Sequence, residues 1–430
     1  MNLIARAWIV ICFFTGITAI DNPHFWRATN FLPQFYEPRI AKSWLTSFDL
    51  FVGYGRTDHS RNQFGQTVPL LSLYGPERIT TLGIGLPNVD FNNPVDVTLQ
   101  NLALLGCPCD FGQLNFCGHF SVAELNFCFT QNLSCGFFAQ LHFPFRNLEI
   151  SNISSCDASS KDCSENPNRG NIFWQTFMNL YPQFLTRYGL LVSSAGSQNC
   201  GTQTTGIGDT SVLLGWTYNY EETEALDYVD FTLRAGVLIP TDKRKNPDLI
   251  FDIANGYNGH LGAPISADMA LGYFEWLTIG AHTGAIIFVR REQCVRIHTD
   301  ASQNGLIKLV KAEASEHEGT IWELCAYLKA DHFCGGLSFL AGYNFAVQHR
   351  NQLALCNTDF ITNETANADS TLLGWKMHTV NLLLEYDWTQ DGNALGPRVG
   401  IFYNLQVGGQ RSFKTNMAGG FLGFDFALCF

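Results

Sequence analysis

Apolar and polar residues alternate along most of this chain. In SVAELNFCFT, Ala123, Leu125, Phe127 and Phe129 fall on one face, and Val122, Glu124, Asn126 and Cys128 on the other. After the link QNLS, CGFFAQLHFPFR sets Phe137, Ala139, Leu141, Phe143 and Phe145 against Gln140, His142 and Arg146. TSVLLGWTYNY and YVDFTLRAGVLIP repeat the plan across an acidic turn, with Val212, Leu214, Trp216, Val229, Phe231 and Leu233 on the apolar side. ISADMALGY and LTIGAHTGAIIFV, IWELCAYLK and LSFLAGYNFAVQ, and HTVNLLLEYDW and RVGIFYNLQVG form further pairs. This periodicity belongs to strands, whose side chains point alternately to opposite faces.

The links alternate too. QNLS, EETEALD, FEW, ADHFCGG and QDGNALGP are short, whereas the stretches near 58–112, 151–207, 241–263, 290–318 and 350–374 are long and polar, and RSFKTNMAGG is intermediate. Adding TSFDLFVGYG and the last strand predicts an all-β fold, an antiparallel transmembrane β-barrel of about 12 strands, with about 14 as the alternative. The barrel occupies 45–430, with short periplasmic turns and long external loops. A set of β-sandwiches also alternates, but the outward faces of sandwiches carry more charge. Trp216, Tyr218, Tyr220, Tyr273, Trp276, Tyr386 and Trp388 fall near the short turns, as an interfacial girdle requires.

Composition agrees. Among 430 residues, 46% are hydrophobic and only 15% charged, and the formal charge is −12. An acidic chain of this kind offers no basic surface to nucleic acid. MNLIARAWIVICFFTGITAID has the outline of a secretory signal peptide over 1–19: one early cation, Arg6, an apolar run, then Thr18 and Ala19. An uncleaved anchor is the alternative, but the run is short for a span. No later apolar stretch is long enough for a transmembrane helix, so a membrane-embedded mature chain requires a closed barrel. Residues 20–44, rich in aromatics, form an N-terminal segment that plugs the periplasmic mouth or packs beneath it.

The chain ends on GGFLGFDFALCF, with Leu422, Phe424, Phe426, Leu428 and Phe430 at every second position. Chain ends usually fray; an end this apolar needs lipid against it. The segment resembles the C-terminal signal of Gram-negative outer-membrane β-barrel proteins of the porin and transporter class. The resemblance implies an outer-membrane location, with outer-membrane lipid and the barrel-insertion machinery as partners. It matches no specific transporter family.

With the apolar face assigned to lipid, parity sends Asp49, Glu124, Asp209, Asp230, Asp268, Glu323, Glu385 and Asp425 into the lumen with Arg146, Arg234, Lys329, His142 and His282. One bulge would flip the residues beyond it. These residues line an acidic pathway and are the selectivity candidates, or they pair within a sealed interior. Leu213, Leu238, Ile286, Phe288, Leu340 and Phe402 point inward as well and favour partial occlusion. Strand pairing sets Arg234 near Gly215, which would give its side chain room, and near Asp268. An Arg–carboxylate pair there is either structural or a selectivity element.

Fourteen cysteines, Cys12 among them, leave an odd number in the mature chain. An exported protein can hold disulfides, and Cys156 with Cys163 is the candidate pair. Cys128 and Cys135 face opposite ways, and Cys107-Pro108-Cys109 is too close for an ordinary bridge and weak as a metal motif. No cofactor or metal is expected. GxSxG, HExxH and P-loop patterns are absent; His349 and His378 fall outward near loop ends without a serine in register. NIFWQTFMNLYPQFLTRY reads as an amphipathic helix ending near Pro182, inserted in the lumen or lying on the outer surface. KRK at 243–245 and RREQCVR at 290–296 bind anionic head groups or are solvated loop charge.

These features favour a non-enzymatic monomeric channel or transporter for small solutes, gated and weakly cation-preferring. The alternatives are a carrier of hydrophobic compounds with a plug and a lateral opening, a non-conducting barrel with partner-binding loops, and a barrel enzyme.

Overall fold

The computed structural model describes residues 45–104, 112–158, 167–193, 201–221, 226–274, 276–388 and 395–427. The leader, segment 20–44, Cys107, Cys109, Cys163, Leu428 and Phe430 lie outside these residues. Twelve strands form the barrel: β1 (Leu45–Thr57), β2 (Gln113–Asn132), β3 (Phe137–Asp157), β4 (Thr210–Glu221), β5 (Tyr228–Ile239), β6 (Gly262–Tyr273), β7 (Leu277–Phe288), β8 (Ile321–Cys334), β9 (Leu337–Gln348), β10 (Lys376–Asp387), β11 (Leu395–Gln410) and β12 (Asn416–Ala427). Each pairs antiparallel with the next, and β12 closes on β1 from Leu45–Ala427 to Arg56–Asn416. Two short strands, Glu77–Arg78 and Thr202–Ile207, extend the sheet beside β2 and β3.

The wall obeys the alternation. Outward positions are apolar and exposed, Leu214 at 66% and Ile401 at 64% among them, and the band of such residues runs round the barrel. A contiguous apolar surface of this extent requires a hydrocarbon environment. Tyr218, Tyr220, Trp276 and Trp388 stand exposed toward the short-turn end. Inward positions are mostly buried.

The long loops differ from the polar stretches expected. They fold into a cap with its own core over the loop end of the barrel. Helices α1 (Ile79–Ile84), α2 (Pro94–Leu104) and α3 (Pro167–Arg187) contribute Ile79, Leu82, Leu99, Phe177 and Phe184, all with 1% exposure or less. A three-stranded sheet of Arg291–Ile297, Val310–His317 and Gln352–Leu355 completes the cap. α3 continues through Pro182 to Arg187 instead of ending near that proline. Its aromatic side packs into the apolar core that the cap shares with the barrel interior, and Arg187 Nη2 reaches Asp96 of α2 at 3.1 Å. The cap core runs without a break into apolar lumen residues of β1, β2 and β9–β12, among them Phe51, Leu340, Leu383, Phe402 and Phe421.

The basic patch at 290–296 is largely consumed inside the cap. Arg296 donates to the carbonyls of Pro247 and Gly189 at 2.6 and 2.7 Å and to Asp248 at 3.0 Å. Arg291 donates to Asn258 O at 2.9 Å. Lys243 and Arg244 remain exposed.

Candidate functional site: the barrel lumen

Three arginine-centred networks organise the interior. Near the short-turn end, Arg398 of β11 sends Nη2 to Asp49 at 2.8 Å, to Ser47 Oγ at 3.0 Å and to Asp425 at 3.1 Å, while Nη1 lies 3.5 Å from Glu385. In the middle, Arg234 is bonded to Asp268, donates from Nε to Gln140 at 3.0 Å, and stacks over the Phe138 ring at 5.5 Å. His282 Nδ1 meets the other oxygen of Asp268 at 2.6 Å. Nearer the cap, Arg146 pairs with Glu124 at 3.2 Å and donates to the Asn255 carbonyl at 2.8 Å, tying the wall to a loop. The guanidinium groups are almost fully buried, and a buried charge of this kind persists only when paired and hydrogen-bonded.

Other inward candidates take secondary places. Glu323 accepts from Asn344 Nδ2 at 2.9 Å, and Lys329 lies 3.2 Å from Asp331. His142 is buried, and Asp230 is half-buried toward the short turns. Asp209, buried just before β4, accepts from Tyr257 N at 2.6 Å through Oδ2. Burial, together with the neighbouring Asp242 carboxylate, pushes the Asp209 acid up.

Two details were hidden from sequence reasoning. Arg398 shares the parity of inward Phe402, and that parity was the available signal. Gly215 does lie opposite Arg234, but the room it leaves is taken by Phe138, whose ring atoms would stand 2.1 Å from a Cβ there. Arg234 then rests on that ring. Cys156 Sγ lies 3.8 Å from Cys117 Sγ across the β2–β3 hairpin, while Cys163, the partner expected for it, lies outside the described residues. Cys128 is buried and Cys135 exposed. His378 Nδ1 faces Tyr343 Oη at 2.6 Å on the exterior.

Apolar packing fills the lumen along β9–β12 and β1–β2, and a second cluster of Leu238, Ile286, Phe288 and Ile321 fills it toward the loop end of β5, β7 and β8. Beside that cluster, β3–β8 enclose a cavity of about 50 Å³ bordered by Leu213, Ile286, His142, Arg234, His282 and Glu323. Outside the same stretch of wall, a groove of about 700 Å³ runs between Leu214, Leu233, Ile265 and Trp322 over small residues such as Ala235 and Ala267. Cavity and groove share Arg234, Ile265, Ser266, Gly284 and Ala285. At this place β5–β6 pairing runs to Ile265–Ala235, skips Ala263 and Pro264, and resumes only at Gly262–Leu238. Proline has no N–H to give to a ladder.

No family model matches this chain, and no curated protein does. Among solved structures it is similar to an outer membrane channel from Pseudomonas putida F1 (10% identity, 91% of this chain and 99% of that one, TM-score 0.46). It is also similar to a deletion mutant of the monoaromatic hydrocarbon channel TodX (11% identity, 92% of each chain, TM-score 0.38). A third is the toluene transporter TbuX of Ralstonia pickettii (8% identity, 91% of each chain, TM-score 0.34).

Proposed function

We propose that this protein is an outer-membrane channel of a Gram-negative-type bacterium, and that it passes small apolar compounds through its wall between β5 and β6. The observation that carries this reading is the pairing gap at Pro264, where the lumen cavity and the lipid-side groove border the same residues. A compound dissolved in the bilayer would reach Ser266 and Gly284 without crossing the cap. The polar groups behind them, Arg234 and His282, would meet a weakly polar end of the cargo. A lumen filled with aromatic and paired charged groups suits slow passage of such molecules better than free flow of water and ions.

The test compares uptake of a small uncharged aromatic probe into proteoliposomes with ion conductance in planar bilayers. Ser266→Phe and Ala267→Trp, which fill the wall from its two sides, should lower probe uptake at least tenfold while leaving heat-modifiable gel migration unchanged. Large steady conductance with probe uptake indifferent to both substitutions would contradict the proposal. A second reading, a cation-preferring channel for small polar solutes, draws support from Glu323 and Asp230, inward carboxylates additional to those clasped by Arg146, Arg234 and Arg398.

A further inference from the structure

At the rim where the cap meets the barrel, two segments distant in sequence bring His260 together with Glu316 and Glu318. His260 leads into β6, Glu316 is the penultimate residue of a cap strand, and Glu318 sits just ahead of β8. Their exposures are 0%, 5% and 2%, and one potential ligand atom from each lies within 4.8 Å of the others. His260 Nε2 and Glu316 Oε2 are 3.5 Å apart. Ligand atoms held at about 2.1 Å by a tetrahedral ion stand about 3.4 Å apart.

The surroundings fix these groups as a metal site requires. His260 Nδ1 faces the Val289 carbonyl at 3.2 Å, so one ring proton is held there and Nε2, the atom a metal would take on releasing any proton it carries, is turned toward the carboxylates. Glu318 receives Gln348 Nε2 on one oxygen at 2.7 Å and Asn351 Nδ2 on the other at 2.6 Å. Gln293 donates to Glu316. These three donors are neutral amides: they orient the carboxylates without cancelling their charge. Lys245 acts on Glu316 from a half-buried position. Two buried carboxylates and an imidazole with their ligand atoms this close form a donor set that a divalent ion would neutralise more fully than a single imidazolium.

We infer that His260, Glu316 and Glu318 bind a divalent first-row metal ion, zinc by preference, which fastens the cap to the barrel rim. An imidazole with two carboxylates suits zinc, whereas calcium takes an all-oxygen shell of six to eight ligands. Three protein ligands leave the fourth tetrahedral position to water. Gln348, Asn351 and Gln293 are positioning residues.

The experiment uses the full-length protein assembled in detergent, with its thiols alkylated so that cysteines do not compete. Calorimetric titration with Zn2+ should show one equivalent bound, with proton release if His260 starts protonated. His260→Gln and Glu318→Gln should each weaken binding at least 100-fold, Gln348→Leu about 10- to 100-fold, and His349→Gln not at all. Co2+ in place of zinc should give visible d–d absorption in the wild type. The inference is overturned if assembled wild-type protein takes up no stoichiometric zinc, or if both ligand variants bind it undiminished. Should the variants fail to assemble, the wild-type Co2+ spectrum decides: no d–d absorption rejects the site.

Discussion

Arg398 Nη2 and Asp49 Oδ1 meet at 2.8 Å across the closing seam of the barrel, 349 positions apart in the chain and with β12 running between their strands. They meet because the β12 residue between them is Gly423: a Cβ there would stand 2.6 Å from Asp49 Oδ1 and 3.0 Å from Arg398 Cζ. Closure therefore joins a carboxylate from the first strand, a guanidinium from the eleventh and an absent side chain on the twelfth.

Breaking this clasp should loosen the barrel. Arg398→Met leaves Asp49, Asp425 and Glu385 around a lost cation, and removing one partner of a buried charge network costs about 3–5 kcal/mol. Gly423→Ala should cost about 1–3 kcal/mol by overpacking. Gly420→Ala, whose Cβ would meet only the Gly400 carbonyl at 3.2 Å, should cost less. The temperature at which the folded gel band converts to the unfolded one gives the order; equal temperatures for the two glycine variants would refute the clasp.

The barrel was legible because lipid enforces the period-two rule on every strand. Residues such as Leu214 and Leu422 have no second environment to choose, and a register slip would expose the polar face to hydrocarbon. The cap was not legible. Its apolar residues, Leu70, Ile79 and Leu99 among them, come from short helices and turns whose local pattern is weak, and only tertiary contact makes them a core. The lumen was legible by face and not by partner: parity puts Arg234 and Asp268 inside, but the stacking of Arg234 on Phe138 depends on the barrel's curvature. Glu316 and Glu318 share a face of an extended chain, yet nothing local announces His260 beside them.

Ion preference tests the second reading. Substituting Glu124 or Asp425 would strand Arg146 or Arg398, so Glu323, which accepts from the neutral Asn344, is the informative position. Any current through the wild type should favour cations, and Glu323→Gln should bring its reversal potential in a KCl gradient closer to zero. The preference should fade at 1 M salt, where screening acts over about 3 Å. Anion preference in the wild type would contradict the acidic lumen.

The last strand offers a test of lipid contact. Leu422 and Phe424 are each 47% exposed on the outer wall. Lysine at either should cost about 2–4 kcal/mol if it lies near the bilayer midplane, lowering the yield of assembled protein. Phe360, 91% exposed in a cap loop, should accept lysine freely. Equal assembled yields from the three variants would place the terminal strand outside the lipid.

Cap stability should fall as pH rises, through Glu77. This carboxyl is 2% exposed, and its Oε1 accepts the backbone N–H groups of Leu306 and of Ile307, the latter at 2.9 Å. Burial above all, with Asp369 adding to it, outweighs these bonds and Lys308, pushing the group from 4.5 to about 8. Between those values the folded cap holds a proton that the opened cap releases, so the folded form binds more protons and loses stability as pH rises through the window. Above about 8 the dependence levels off. Glu77→Gln keeps an acceptor for both N–H groups and carries no charge, so this contribution is removed and its cap should soften less between pH 6 and pH 9. Amide hydrogen exchange around Leu306 and Ile307, corrected for intrinsic rates, measures this directly. The wild type should lose more protection at the higher pH than the variant; identical loss in both would assign the effect to another group.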